Sequence, residues 1–575
     1  MMISDKTERR MLEKLTFLYG DDRGRWAYAE LIELLKRFSN QFKPRISSER
    51  FSEKDVVLIA YADMIRNDAH PIRALTAFAK KYLKGKVNTI HLLPFIRYDS
   101  DRGFSIIDYR EVDSRIGDWS DIAELKKNFK LMVDLVLNHV SDKHFWFQEF
   151  RKGNPQYRDY FIWFDESTLP SKELLERVVR PRLTPILSRY ETVEGEKFVW
   201  TTFPHNQVDL NYRNERVLLE MVDIMLFYVS KGADIIRLDA VPYLWKELGT
   251  SCLNLKQAHL IVQLLRDILN AVAPHVSILV EANVHHKDNV QYFGDGRNEA
   301  HIVYNFTLPP LLIHAFYTED ASHLSKLVGL LENPSGETTY LNILDTHDGI
   351  GLLSVKDVLT DREIEKMVKK SVENGGLVSN MRDPDGGESP YEMNTTWWCA
   401  LQSTYLSIKA ETDTLIKRYL ASRAIALSLK GVPAIYLNGL LGALNDLEGA
   451  KRTGYNRDIN RRNFNLSDLL REIEDKNSRT HSVFYGYLNL IKRRVGERVF
   501  HPNGEQKVLF LNKSVFAVAR VSPDKGERVI ALHNLSDRRR KVRLGEGTYR
   551  DLISQRKYSK DVKLEPYQVC WLKRN

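Results

Sequence analysis

Asp239, Glu281 and Asp348 each stand at the end of an apolar run, and Arg237 precedes the first of them by two residues. The segment Gly232-Ala-Asp-Ile-Ile-Arg-Leu-Asp239-Ala-Val reads as a core strand whose last residues carry a charged pair. Leaving either charge buried and unpaired would cost several kcal/mol, a large share of a domain's stability. A structural Arg–Asp ion pair accounts for this one strand as well as a catalytic site does. Other runs end the same way. Asp134, Asn138 and His139 close one, Glu281 closes Ser277-Ile-Leu-Val, and Asp345, His347 and Asp348 close Thr339–Leu344. A lone case is best read as a strand cap or a satisfied histidine. Four on one face of a parallel barrel are best read as an active site, because catalytic groups collect at the C-terminal strand ends of that fold.

The chemistry these residue types support is glycosyl transfer with retention. That reaction needs two carboxyl groups about 5 Å apart, one to attack the anomeric carbon and one to protonate the leaving oxygen. Asp239 beside Arg237 is expected to stay ionised, as a nucleophile must, because a neighbouring cation lowers a carboxyl pKa. Glu281 follows an apolar strand, where desolvation favours the protonated form of an acid/base. Asp348 would be a third carboxylate, binding sugar hydroxyls and stabilising positive charge. His139 and His347 fit as neutral hydrogen-bonding groups at the same sugar.

Positioning these groups requires repeated βα units, and the sequence supplies eight strand candidates. They cover 56–62, 87–94, 130–137, 233–240, 277–282, 301–306, 339–344 and 433–438. The expected fold is α/β, a (β/α)8 TIM barrel with an inserted domain after strand three, a C-terminal antiparallel β domain and an N-terminal helical extension. The expected boundaries are 1–55 for the extension, 56–139 and 207–480 for the two parts of the barrel, 140–206 for the inserted domain and 481–575 for the β domain. In that last part, short alternating runs begin at about 503.

Composition excludes several function classes. The chain has 575 residues, 43% hydrophobic and 28% charged, which is ordinary for a globular protein of more than one unit. Its formal net charge of +9 suits an anionic substrate. The basic residues are scattered without an aromatic-interleaved stripe, so no nucleic-acid partner is expected. Three cysteines without metal-type spacing point to a reduced cytoplasm. The N-terminus carries no apolar leader and no run is long enough to span a bilayer, so no membrane partner is expected. Neither a Gly-rich dinucleotide loop nor a metal-ligand cluster is present, and no cofactor is expected. A homodimer is admitted, but no motif specifies it.

Asp134-Leu-Val-Leu-Asn-His139, Arg237-Leu-Asp239, Glu281 and His347-Asp348 resemble the four signature segments of the α-amylase superfamily, in its order and spacing. The resemblance implies Asp239 as nucleophile, Glu281 as acid/base and Asp348 as transition-state stabiliser, on the barrel described above. Further segments resemble the sucrose-phosphorylase group. These are Asp101-Arg-Gly-Phe104, Arg180-Pro-Arg182, Asp345-Thr-His-Asp-Gly-Ile-Gly351, Tyr391-Glu-Met-Asn-Thr395 and Arg457-Asp-Ile-Asn-Arg461. By that resemblance Asp101 and Phe104 hold the glucosyl unit, and phosphate replaces water as second acceptor. Arg182, Tyr243 and Tyr391 match positions that contact phosphate or acceptor. A guanidinium suits that role, since a dianion entering a site of three carboxylates needs an offsetting charge and a bidentate donor. The substrate-binding set comprises Asp101, Phe104, His139, Arg237, His347, Arg461, Tyr243, Asn283, Glu392 and Asn394, with Arg182 and Tyr391 for phosphate.

Departures from the group fall on the acceptor side. Asn283 stands where the sucrose enzymes carry His, Glu392 replaces a loop Gln, and Leu187-Ser-Arg189 replaces a stretch that usually holds a His. The chain is also longer. It is similar in this to members that convert 2-O-α-glucosylglycerate and phosphate to glucose 1-phosphate and glycerate. Arg102, Arg189 or Arg382 could receive the glycerate carboxylate. Sucrose, sucrose 6-phosphate and a plain α-glucosidase reaction stay open as alternatives. A transporter heavy chain is set aside, since all three carboxylates are present and a membrane helix is not.

Overall fold

The computed structural model describes residues 3–39, 49–67, 70–382, 387–402 and 408–574. The part of the N-terminal extension at 40–48 lies outside the described residues. Each of the eight strand candidates overlaps a strand of one closed parallel barrel. They are β1 (Val57–Ala60), β2 (Thr89–Leu92), β3 (Lys130–Val136), β4 (Ala233–Asp239), β5 (Ser277–Val280), β6 (Ile302–Tyr304), β7 (Thr339–Asn342) and β8 (Val432–Tyr436). Each pairs in parallel with its neighbours in the chain, and β8 closes onto β1. Such strands are covered on both faces, which is why they read as near-continuous apolar runs.

Register places the charged residues. In the β3–β4 pair Arg237 stands opposite Asp134, so the two side chains emerge next to each other. Immediately after β4, Ala240 takes φ 53, a left-handed conformation that costs roughly 1–2 kcal/mol for a residue with a Cβ. That turn aims the Ala240 N–H at Glu281 Oε2, 2.9 Å away. A second strained turn follows β2. Asp101 and Arg102 both take φ 49, and Gly103 takes φ 111 against Pro94, where a Cβ would stand 2.4 Å from the carbonyl oxygen.

The inserted segment carries a three-stranded antiparallel sheet, Trp163–Phe164, Gly195–Trp200 and Leu187–Thr192. Its base is fixed by a buried cation. Lys246 Nζ lies 2.6 Å from Asn138 Oδ1 and 2.7 Å from Asp209 Oδ2, which ties the end of β3 to the strand Gln207–Asp209. Asn138 is thus structural and does not face the sugar pocket.

At the N-terminus, α1 (Asp5–Tyr19) and α2 (Asp21–Ser39) form a hairpin over two outer helices of the barrel, α3 (Glu215–Ser230) and α4 (Lys256–Val272). Arg10 and Lys14 reach the buried Asp267 of α4 at 2.7 and 2.8 Å. After β8, residues 481–495 fall within the expected C-terminal β unit but form most of a helix, α5 (Arg479–Val495). Its apolar positions recur at helical spacing, with Val483, Phe484, Tyr487, Leu488 and Ile491 buried. Antiparallel strands begin at Glu505 and make a six-stranded sheet. Two buried arginines join this part to the barrel: Arg494 donates to the Leu427 and Gly431 carbonyls, and Arg520 to that of Ser428. Among the described residues, no helix is long and apolar enough to cross a membrane, and Cys252, Cys399 and Cys570 are free and buried.

Candidate active site

At the C-terminal ends of the barrel strands, one pocket is lined by Asp101, Phe104, His139, Arg182, Arg237, Asp239, Tyr243, Asn283, Glu281, His347, Asp348 and Tyr391, among others. Residues from seven segments of the chain thus converge as the sequence pattern requires. A larger cavity opens at the opposite, N-terminal ends of the strands, beside Asp55, Asn88 and Ser277. It holds none of the strand-end carboxylates, and the chemistry belongs to the smaller pocket.

Arg237 organises the carboxylates. Its guanidinium donates to Asp134 and, at 2.7 Å, to Asp239 Oδ1, and it lies 4.0 Å from Glu281 Oε2. Tyr304 Oη accepts from its Nε at 3.1 Å. Asp134 has no exposed side-chain surface and also meets His91 Nε2 at 2.8 Å, so it supports Arg237 from below. Asp239 and Glu281 thus face one guanidinium from the ends of adjacent strands, the placement a retaining pair needs.

The protonation of Asp239 differs from expectation, while that of Glu281 agrees with it. Burial pushes the Asp239 carboxyl up to about 8, and the charges of Glu281 and Asp134 add to that, outweighing Arg237. Glu281 is raised too, by burial first and by Asp348. The sequence shows the cation next to Asp239 but not the other acids that face it. Two interacting buried carboxyls titrate as a unit, and the pair shares a proton that each is raised to hold. Asp348 behaves oppositely. Burial alone would raise it, but Arg457, His347 and Arg461 hold it well below the usual carboxylate range. His139 is lowered to about 4 and His347 to about 3, both mainly by burial, so both are neutral as expected.

The remaining side chains fall into two groups. Asp101 enters the pocket, where Arg461 lies 3.3 Å away and Gln207 donates to its other oxygen. Phe104 stacks on His347 with ring centroids 4.9 Å apart, and His139 Nε2 meets the Phe104 carbonyl at 3.1 Å. Asn283 donates to Tyr391 Oη at 3.3 Å. Arg182 stacks over Phe203, bonds the Pro181 carbonyl, and meets no carboxylate within 4.0 Å among the described residues.

The other group stands behind the pocket wall. Glu392 is gripped by Arg457 at 2.9 and 2.8 Å, and Asn394 bonds Ser379 Oγ. Neither lines the pocket, so their expected contact with substrate is not what the structure shows: β-pairing of Glu388–Asn394 turns them inward. Arg461 likewise acts from the side, donating to the His347 carbonyl at 2.8 Å. Asp345 forms a bidentate pair with the buried Arg423 and is structural. The three arginines considered for an acceptor carboxylate are also elsewhere. Arg102 pairs with Asp63 at 2.6 Å, Arg189 is 71% exposed on the inserted sheet, and Arg382 is exposed at a strand end. Arg457, Gln207 and Phe203 line the pocket and were not in the sequence-derived set. Arg457 had a signal, since it stands four residues before Arg461 in the same short motif.

A closed parallel barrel, an inserted segment after β3 and a carboxylate triad at the strand ends define an α-amylase-type glycoside-processing enzyme. The α-amylase catalytic-domain family model matches residues 80–348, and the chain belongs to that family. A glucosylglycerate phosphorylase of Spirochaeta thermophila is 43% identical over 92% of this chain and 89% of its own. One from Escherichia coli is 39% identical over 98% of this chain and its full length. The crystal structure of sucrose 6F-phosphate phosphorylase from Thermoanaerobacter thermosaccharolyticum superposes with a TM-score of 0.73 at 27% identity, covering 85% of this chain and 95% of that one.

Proposed function

We propose that the enzyme phosphorolyses 2-O-α-glucosylglycerate to α-glucose 1-phosphate and glycerate by double displacement through a glucosyl–Asp239 ester. The observation that carries the reading is the Asp239–Glu281 pair on Arg237, in a pocket where Arg182 faces in without a carboxylate partner among the described residues. Full-length similarity to glucosylglycerate phosphorylases supports the choice of leaving group.

In the first step, Asp239 attacks the anomeric carbon while Glu281 donates its proton to the departing glycerate oxygen. Attack requires the shared proton on Glu281 and negative charge on Asp239, a charge that the direct bond from Arg237 stabilises. Asp348, kept ionised by Arg457, stabilises positive charge at the anomeric centre. In the second step, hydrogenphosphate attacks the ester from the face that glycerate left. Its proton returns to Glu281, Asp239 is released as carboxylate, and two inversions give net retention. Asp101, His139 and His347 would hold the glucosyl hydroxyls. Arg182, Tyr243 and Tyr391 would face the acceptor, and glycerate, like phosphate, is an anion that Arg182 can meet.

The decisive experiment is initial-rate synthesis from α-glucose 1-phosphate with D-glycerate, fructose or fructose 6-phosphate as acceptor, alongside phosphate dependence of the reverse reaction. Preference for glycerate and strict need for phosphate are expected. A preference for either fructose substrate, or turnover indifferent to phosphate, would overturn the reading.

A further inference from the structure

Glu392 is a carboxylate of this site that does not line the pocket. It is 1% exposed, and both of its oxygens are taken by Arg457, whose Nη1 lies 2.5 Å from Asp348 Oδ1. The chain makes room for this arrangement. A Cβ at Gly349 would stand 2.2 Å from Glu392 Cγ, and the backbone there has no left-handed φ, so glycine is required by space and not by conformation. In the β-pairing of this loop, Gly351 lies directly opposite Glu392, which fixes the side of the strand on which the carboxylate stands.

The charges around the pocket show what the carboxylate does. Arg237 is matched by Asp134 and Asp239, and Arg461 by Asp101 and Asp458. Arg457 is matched by Glu392 and Asp348. Of these pocket arginines, Arg182 has no such partner among the described residues. A glutamine at 392, as in the sucrose enzymes, could accept one hydrogen bond from Arg457 but would leave its charge uncancelled on the Glu392 side. Arg457 lines the same pocket as Arg182, so that charge would reach any anion bound there.

We infer that Glu392 is a positioning and specificity-determining residue: it holds Arg457 on Asp348 and cancels its charge, leaving Arg182 as the cation that receives an anionic acceptor. The inference rests on the proposed phosphorolysis and extends it to the selection of the anion. Without Glu392, phosphate would have two guanidinium groups to choose between, and binding at Arg457 would draw that arginine off Asp348.

Glu392→Gln and Glu392→Asp test this. Inorganic phosphate is titrated into each protein by calorimetry, and KM for phosphate and kcat are measured separately. Glu392→Gln is expected to bind phosphate roughly three- to tenfold more tightly, with a matching fall in KM, because an added unit charge across a partly screened pocket is of that size. Its kcat should fall, since Arg457 is then free to leave Asp348. Glu392→Asp keeps the charge and should bind phosphate within about twofold of the parent, with kcat reduced by the shorter reach. A residue that only props the fold would weaken phosphate binding in both variants. Unchanged or weaker phosphate binding in Glu392→Gln overturns the inference, as does equal tightening in both. If Glu392→Gln does not fold, Glu392→Asp still decides. A lower kcat at unchanged phosphate affinity supports the inference, and a change in phosphate affinity overturns it. The two readings separate cleanly. A parent enzyme that fails to phosphorolyse glucosylglycerate, while Glu392→Gln still gains phosphate affinity, refutes the substrate and keeps the role of Glu392.

Discussion

Replacing Arg182 with alanine should damage phosphorolysis selectively, and the structure sets the scale. Its guanidinium lines the pocket, bonds one carbonyl at 2.7 Å, and stacks 5.5 Å from the Phe203 centroid. Losing these contacts should cost the fold no more than about 1 kcal/mol, the range of a partly exposed cation–π contact. A charge-assisted hydrogen bond to phosphate is worth about 1.5–3 kcal/mol, and each 1.4 kcal/mol is about tenfold. The variant should therefore lose roughly ten- to a hundredfold in kcat/KM for phosphate at near-parental Tm. Formation of the glucosyl ester needs Asp239 and Glu281, so slow hydrolysis measured without phosphate should change less than about threefold. The assay compares α-glucose 1-phosphate release over a phosphate series with glucose release at zero phosphate. An equal loss in both would refute the assignment of Arg182 to the acceptor.

Asp239→Asn should abolish turnover of every donor, because no ester can form, and near-normal activity would sink the mechanism. The coupled pair makes activity bell-shaped in pH. Turnover should fall as pH rises through about 8, where the shared proton is lost, and fall again on the acid side, where both carboxyls are protonated. Both carboxyls are raised in the folded state, so their contribution to stability is full below their unfolded values and is lost as pH rises through the folded ones. Glu281→Gln should accordingly gain Tm on the parent at pH 9 but not at pH 4, and an equal shift at both would contradict the coupling. Asp345→Ala leaves the buried Arg423 without its bidentate partner and should destabilise by about 3–5 kcal/mol, read by denaturant unfolding. A loss below about 1 kcal/mol would show that the pair is not needed for the fold.

The barrel was legible because buried parallel strands leave apolar runs, and the acids at their ends stand out against those runs. All three triad carboxylates meet in one pocket for that reason. What stayed hidden was direction and partnership. Asp101 and Arg102 are adjacent, yet the left-handed turn sends one into the pocket and the other to Asp63. Glu392 reads as an acceptor-side residue because it replaces a loop Gln of the resembled group, but alternate residues of a strand face opposite sides, and it is Tyr391 that lines the pocket. The rise in the Asp239 pKa depends on acids far away in the chain that only folding brings near. The helix Arg479–Val495 carries its apolar residues at helical spacing, so the β unit starts only with the alternating runs that follow it.

The double attachment of Arg237 bears on how long the reaction can pause. Esterification of Asp239 removes the negative charge that faces this guanidinium at 2.7 Å. A buried arginine with a single partner would then be stranded, and the site would relax by admitting water, the competitor that hydrolyses the ester. Asp134 keeps its grip on the same nitrogen whatever the state of Asp239. Under the proposed mechanism the half-reacted enzyme would therefore keep Arg237 paired, with no stranded charge to draw water toward the ester.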